Sequence, residues 1–249
     1  MANNDELKNN LISFRNTFEQ YNEYYTVIGG TACMILMEDA GRRFRATSDI
    51  DMILVMEDGG EEFCKVFWDY ILSGKYTCGV KKDEPQYYRF TDPAPGYPEQ
   101  IELFSKRADF KIDSRIIPVY ISEDVSSLSA IALDNDFYHF MKNGRKTIDG
   151  ISVLGAEHII PFKMYAWLNN MSMREQGIHV NTDDIKKHKN DVFRLFPLIN
   201  PDEKIVTSGN VKETILNFIK KMKNENVADE FLYGRTKGTI LEMIGDIYL

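Results

Sequence analysis

The segment from Tyr24 to Val55 constrains this chain more than any other. It reads as a short apolar strand, a Gly29-Gly30 turn, a helix-like run from Ala32 to Met37, and a second strand that opens Asp49-Ile50-Asp51. Side chains alternate across a strand, so Asp49 and Asp51 project to one face, roughly 7 Å apart along the chain. Ile50, Met52 and Leu54 take the other face, while Ile53 and Val55 continue the aspartate face as apolar positions. A strand that is apolar on both sides beyond its first turn is a central strand, covered by other layers. Two carboxylates at the mouth of such a strand are costly unless a positive charge sits there, and Mg²⁺ is the natural candidate. On its own, Asp-Ile-Asp also fits a polar strand entrance. The glycine pair upstream adds a second feature, because it lets a ligand approach the backbone and frees the N–H groups of the following helix.

Gly29-Gly30-Thr31-Ala32, followed by Arg45-Ala46-Thr47-Ser48-Asp49-Ile50-Asp51, resembles the glycine turn and paired acids of the nucleotidyltransferase superfamily. Within it, the arrangement is most similar to the AbiEii-type abortive-infection toxins. The resemblance covers the first half of the chain and returns at Leu154 to Leu195. The stretch from Gly30 to Asp49 is longer than is typical of the wider superfamily, and Met37 to Arg43 is where the excess is expected. The resemblance implies transfer of a nucleoside monophosphate from an NTP to a hydroxyl. In that reading Asp49, Asp51 and a third acid hold two Mg²⁺ ions, and Gly29, Gly30, Thr31 and Arg45 bind the triphosphate. Arg45 suits pairing with Glu38 or Asp39 equally well. The toxin branch further implies an RNA acceptor, such as the 3′ end of tRNA, and a cognate antitoxin. A small-molecule or protein hydroxyl is the alternative acceptor, and a nucleotide sensor that does not transfer is the alternative to an enzyme.

The third acid is expected on a strand beside the aspartates. Glu102, in Gln100-Ile101-Glu102-Leu103-Phe104, is a single carboxylate in an apolar extended run, and a carboxylate among apolar neighbours rarely lacks a role. By resemblance it completes the metal set and accepts the proton of the acceptor hydroxyl. An edge-strand glutamate facing water is the plain alternative, and Glu99, Asp109 and Asp113 are the other candidate acids.

The second half adds a separate signal. Ile159-Ile160-Pro161-Phe162-Lys163-Met164-Tyr165-Ala166-Trp167-Leu168 is apolar nearly all round with Lys163 its one charge. An ammonium on such a face either reaches water along its own stem or finds an anion. The toxin resemblance gives Lys163 a triphosphate contact and matches Asp191, on the charged segment Asp183 to Asp191, to an acid that holds the lysine. Spacing alone also allows a metal site from Asp184, His188 and Asp191, although carboxylate-flanked histidines are common on helix surfaces.

These readings sit in an α+β organisation: a nucleotidyltransferase-like mixed sheet domain with flanking helices over residues 1–153, its first 21 residues an amphipathic helix, then an α-helical domain over 154–249. Extended segments are expected at Tyr76–Lys81, Gln86–Phe90, Glu99–Phe104 and Arg115–Ile121, with a proline-rich loop from Thr91 to Glu99. The chain of 249 residues is 43% hydrophobic, enough for a sizeable core. Its three cysteines lack metal-ligand spacing and suit a reducing cytoplasm. No signal-peptide core and no membrane-length apolar run stand out. A net charge of −8 argues against a general nucleic-acid coat. Two small basic clusters, Lys142/Arg145/Lys146 and Lys186/Lys187/Lys189, read as solvated faces.

Overall fold

A computed structural model of the chain describes residues 4–56, 60–81, 84–106, 116–119 and 128–249. In chain order it contains α1 (Asn4–Phe18), β1 (Tyr25–Ile28), α2 (Gly29–Asp39), β2 (Asp49–Leu54), α3 (Glu61–Ser73), β3 (Thr77–Lys81), β4 (Glu84–Thr91), β5 (Gln100–Lys106), β6 (Ile116–Val119), β7 (Leu128–Leu133), α4 (Asn135–Asn143), β8 (Arg145–Ile148), β9 (Ile151–Leu154), α5 (Ala156–Glu175), α6 (Thr182–Leu195), α7 (Gly209–Met222) and α8 (Lys237–Tyr248). The chain is α+β. It forms two compact units, Met1–Tyr138 with Arg145–Leu154, and His139–Gly144 with Gly155–Leu249.

The first unit is built on one nine-stranded mixed sheet. Its main path runs β3-β4-β5-β2-β1-β9-β8, with β7 paired to β5 and β6 to β7. The aspartate strand β2 is central, antiparallel to β1 and parallel to β5. Burial follows from its composition: Ile50, Met52, Ile53 and Leu54 are all buried. Pairing places Tyr25 opposite Leu54 and Val27 opposite Met52. Their shared face is closed by an aromatic cluster in which Tyr25 meets Phe14 and Phe18 of α1 and Phe63 of α3, with ring centroids 5.6 to 6.1 Å apart. Each such ring contributes large apolar area and a specific edge or stacked geometry. The amphipathic spacing of Phe14 and Phe18 on α1 is the sequence cause of that packing.

The hairpin β8–β9 is fastened by Arg145, whose guanidinium donates to the backbone carbonyls of Asn22, Glu23 and Tyr25. Arg145 therefore serves the entry to β1 rather than a nucleic-acid face. Burial lowers its pKa from the ordinary guanidinium value, though it stays cationic at neutral pH. The strand at Arg145–Ile148, the strand at Leu128–Leu133 and helix α4 extend the sequence reading, which placed no element there. Asp113, Arg115, Ile121 and Asp109 lie outside the described residues.

In the second unit α5 packs on α6 and α7, and α7 on α8, around Trp167 and Phe218, whose rings meet edge-on at 5.3 Å. Pro161 falls inside α5 and has no N–H for the Glu157 carbonyl four residues back. That carbonyl instead accepts from the Tyr248 hydroxyl at 2.6 Å. No described helix is long and apolar enough to cross a membrane.

Candidate functional site

The glycine pair is not a turn ahead of a helix; it is the helix start. α2 begins at Gly29, which adopts φ of +70°, a conformation that glycine alone takes freely. β1 ends at Ile28 directly opposite Asp51, so the chain turns into α2 over the Asp51 carboxylate. A Cβ on Gly29 would stand 1.9 Å from Asp51 Oδ2. The absence of that carbon is what allows the acid to occupy the positive end of the helix dipole. Next in line, a Cβ on Gly30 would stand 2.8 Å from Thr47 Oγ1 and 3.3 Å from Arg45 Nη2. Arg45 thus lies beside the first turn of α2, its guanidinium 5.2 Å from the centre of the Phe44 ring.

Thr31 is 1% exposed, and its hydroxyl donates to the Asp49 carbonyl at 2.5 Å. It anchors the helix start to the start of β2. The Ser48 hydroxyl donates to Glu99 at 2.6 Å and lies 3.4 Å from Asp49 Oδ1. Glu99, one of the candidate acids, therefore sits at this end of β2 but is held by Ser48.

The parallel pairing of β2 with β5 puts Asp49 beside Gln100 and Asp51 beside Glu102. Asp51 and Glu102 then share one face of the sheet, about 4.8 Å apart at the backbone. Glu102 is 8% exposed. On its other side β4 places Arg89 in register with it, and the Arg89 Nε and Nη2 both reach Glu102 Oε1. Four adjacent strands thus carry one row: Ile28 leading into Gly29, then Asp51, Glu102 and Arg89. Arg89 is the residue of this row that sequence reasoning missed, because its register with Glu102 is set between two strands and neither strand alone specifies it. Thr47 and Ser48 lay inside the motif but carried no assigned role. Among the described residues no group of three or more His, Cys, Asp or Glu side chains stands in metal-holding geometry; Glu102 faces a guanidinium.

In the helical unit Lys163 Nζ lies 3.1 Å from Asp191 Oδ2, both side chains buried, and Arg194 approaches the other oxygen at 3.7 Å. The lysine on its apolar face has found an anion within its own unit. Asp184 is exposed, and no Asp184/His188/Asp191 metal cluster exists among the described residues. A cavity of about 380 Å³ between α1, α2 and the β8–β9 hairpin, lined by Leu11, Ile35, Glu38 and Ile148 among others, shares no residue with the acid row.

A scan against protein-family models gives no match, and a sequence comparison with curated proteins gives none. Among solved structures the chain is similar to the antibiotic-resistance factor ANT(2'')-Ia in solution, at 14% identity and a TM-score of 0.37, over 74% of this chain and 81% of that one. It is also similar to the Megavirus polyadenylate synthase, at 13% identity and a TM-score of 0.40, over 89% of this chain and 38% of that one. Scores this low leave the functional reading to the residues themselves.

Proposed function

We propose that this chain is a nucleotidyltransferase that moves a nucleoside monophosphate from an NTP to a hydroxyl. The observation that carries the reading is the juxtaposition of a glycine-opened helix N-terminus with Asp51 and, one strand further, Glu102. A divalent cation fits these residues on donor chemistry, since carboxylate oxygens suit Mg²⁺. Asp49, Asp51 and Glu102 are the residues that would hold it. Bound there, two Mg²⁺ would neutralise phosphate charge and lower the pKa of the acceptor hydroxyl.

The chain's own groups supply the rest. In this reading the backbone N–H groups of Gly30 and Thr31, in the first turn of α2, donate to triphosphate oxygens, and the Arg45 guanidinium beside them adds a positive charge. Glu102 is the group to take the proton from the acceptor hydroxyl. The acceptor oxygen then bonds to the α-phosphorus, the bond from that phosphorus to the bridging oxygen breaks, and pyrophosphate leaves with the electron pair. Positioning and charge neutralisation supply most of the rate.

The finer reading rests on the toxin resemblance for an RNA acceptor, such as a tRNA 3′ end, and a cognate antitoxin, and on the three cysteines for a cytoplasmic setting. The net charge of −8 requires any RNA to be gripped locally, and is equally compatible with a small-molecule or protein acceptor. One observation favours a second reading, a nucleotide sensor without transfer: the Arg89–Glu102 pair neutralises the acid that the chemistry needs. The test is incubation of each α-³²P-labelled NTP with Mg²⁺ in cell extract, with wild-type protein beside an Asp49→Ala, Asp51→Ala double variant. Label in RNA or protein that disappears in the variant supports transfer and names the acceptor class. Acid-dependent NTP binding with no label anywhere supports the sensor.

A further inference from the structure

Strand order separates the two flanks of the acid row, the glycine turn on one and Arg89 on the other. Reading across the sheet, the glycine-opened end of α2 follows β1, Asp51 is on β2, Glu102 on β5 and Arg89 on β4. At about 4.8 Å per strand, Arg89 lies roughly two strands from Asp51, on the flank away from the glycine turn. Its side chain is half-exposed, whereas Glu102 is nearly buried. Both guanidinium nitrogens address one oxygen of that carboxylate.

A nearly buried carboxylate requires a counter-charge or a proton. We infer that Arg89 is the resident counter-cation of Glu102, which a divalent cation must displace, so that Arg89 sets the cation concentration at which the acid row becomes competent. This inference rests on the proposed nucleotidyltransferase reading of the row. Arg89 is here a positioning residue: it acts through Glu102, on the flank of the row away from the glycine turn. On displacement Arg89 would release Glu102, which with Asp49 and Asp51 would hold the cation.

The test is a Mn²⁺ titration, read by electron paramagnetic resonance of the free ion, on the full chain and on Arg89→Met, Arg89→Lys and Glu102→Gln variants whose folding is checked by thermal unfolding. The expected result is Mn²⁺ affinity raised on the order of fivefold in Arg89→Met, the scale of a part-exposed ion pair, with Arg89→Lys between the two. In the Glu102→Gln background, Arg89→Met should then make no difference. Binding of α,β-methylene-ATP at saturating Mn²⁺ should be the same with and without Arg89. Unchanged or weakened Mn²⁺ binding in Arg89→Met, with wild-type binding intact, overturns the competitor role and leaves the nucleotidyltransferase reading standing. Mn²⁺ binding that is absent from wild type and variants alike, or indifferent to Asp49→Asn with Asp51→Asn, overturns both.

Discussion

Gly29 and Asp51 are packed so closely that a single carbon added to the glycine would stand 1.9 Å from the Asp51 carboxylate oxygen. Backbone conformation and side-chain placement are therefore one feature, since Gly29 also holds φ at +70°. Gly29→Ala is expected to cost well over the roughly 1 kcal/mol of left-handed strain alone, and to abolish acid-dependent nucleotide binding. Gly41 is the control. It has a similar φ of +67° with nothing within 4 Å of its would-be Cβ, so Gly41→Ala should show the strain cost only. Urea unfolding of both variants, with nucleotide binding measured alongside, separates the two effects.

The buried Lys163–Asp191 pair predicts an asymmetry. Removing one partner leaves a buried charge short of its counter-charge, so Asp191→Asn should lose about 3–5 kcal/mol of stability, and Lys163→Met less, because Arg194 stays 3.7 Å from Asp191. The double replacement should recover part of that loss. Denaturant midpoints of the three variants decide the matter; additive losses would contradict the pairing.

Tyr248 and Pro161 predict a coupling visible only in a double-mutant cycle. With Pro161 present, Tyr248→Phe orphans the Glu157 carbonyl, at a cost of about 1–3 kcal/mol. In a Pro161→Ala background the restored backbone N–H can take that carbonyl, and the same Tyr248→Phe change should cost much less. Equal costs in both backgrounds would show that the proline does not matter to this bond.

Much of this fold was legible because the signals are local. Alternation of Asp49 and Asp51 against Ile50, Met52 and Leu54 specifies a central strand, and the extended run around Glu102 specifies its neighbour. Other elements gave weaker signals. β8 is an edge strand whose Lys146 and Thr147 are exposed, so its charges read as a solvated cluster rather than as half of a hairpin. α4 is only nine residues long, although its cap was on view: Asp134 accepts from the N–H groups of Asp136 and Phe137. A glycine pair reads as a turn before a helix and not as its first turn, since propensity disfavours glycine in helices; only the contact with Asp51 overrides it. Arg89 opposite Glu102 depends on a register between strands that no single segment contains. The Lys163–Asp191 contact was expected from resemblance rather than from spacing, for the same reason.

Stability at alkaline pH follows from buried protonated groups. Burial raises the Cys64 thiol from 9.0 to about 12, and also raises the Tyr25, Tyr70, Tyr76 and Tyr248 hydroxyls above the ordinary tyrosine value. The folded state therefore holds these protons more tightly than the unfolded state does. Their contribution is complete below the unfolded values and is lost as pH rises from about 9 through the folded ones. Thermal unfolding should show a melting temperature that falls steeply above pH 9, with Cys64→Ala flattening the part that begins near that value. A melting temperature constant to pH 11 would contradict this.

The most direct measurement of the central claim compares ATP, CTP, GTP and UTP labelled at the α- or at the γ-phosphate, incubated with Mg²⁺, the wild-type chain and cell extract. The account predicts α-label in the acceptor, γ-label recovered as pyrophosphate, and both outcomes lost in Asp51→Asn. Entry of γ-label into the acceptor, or α-label transfer that survives Asp51→Asn, would contradict it.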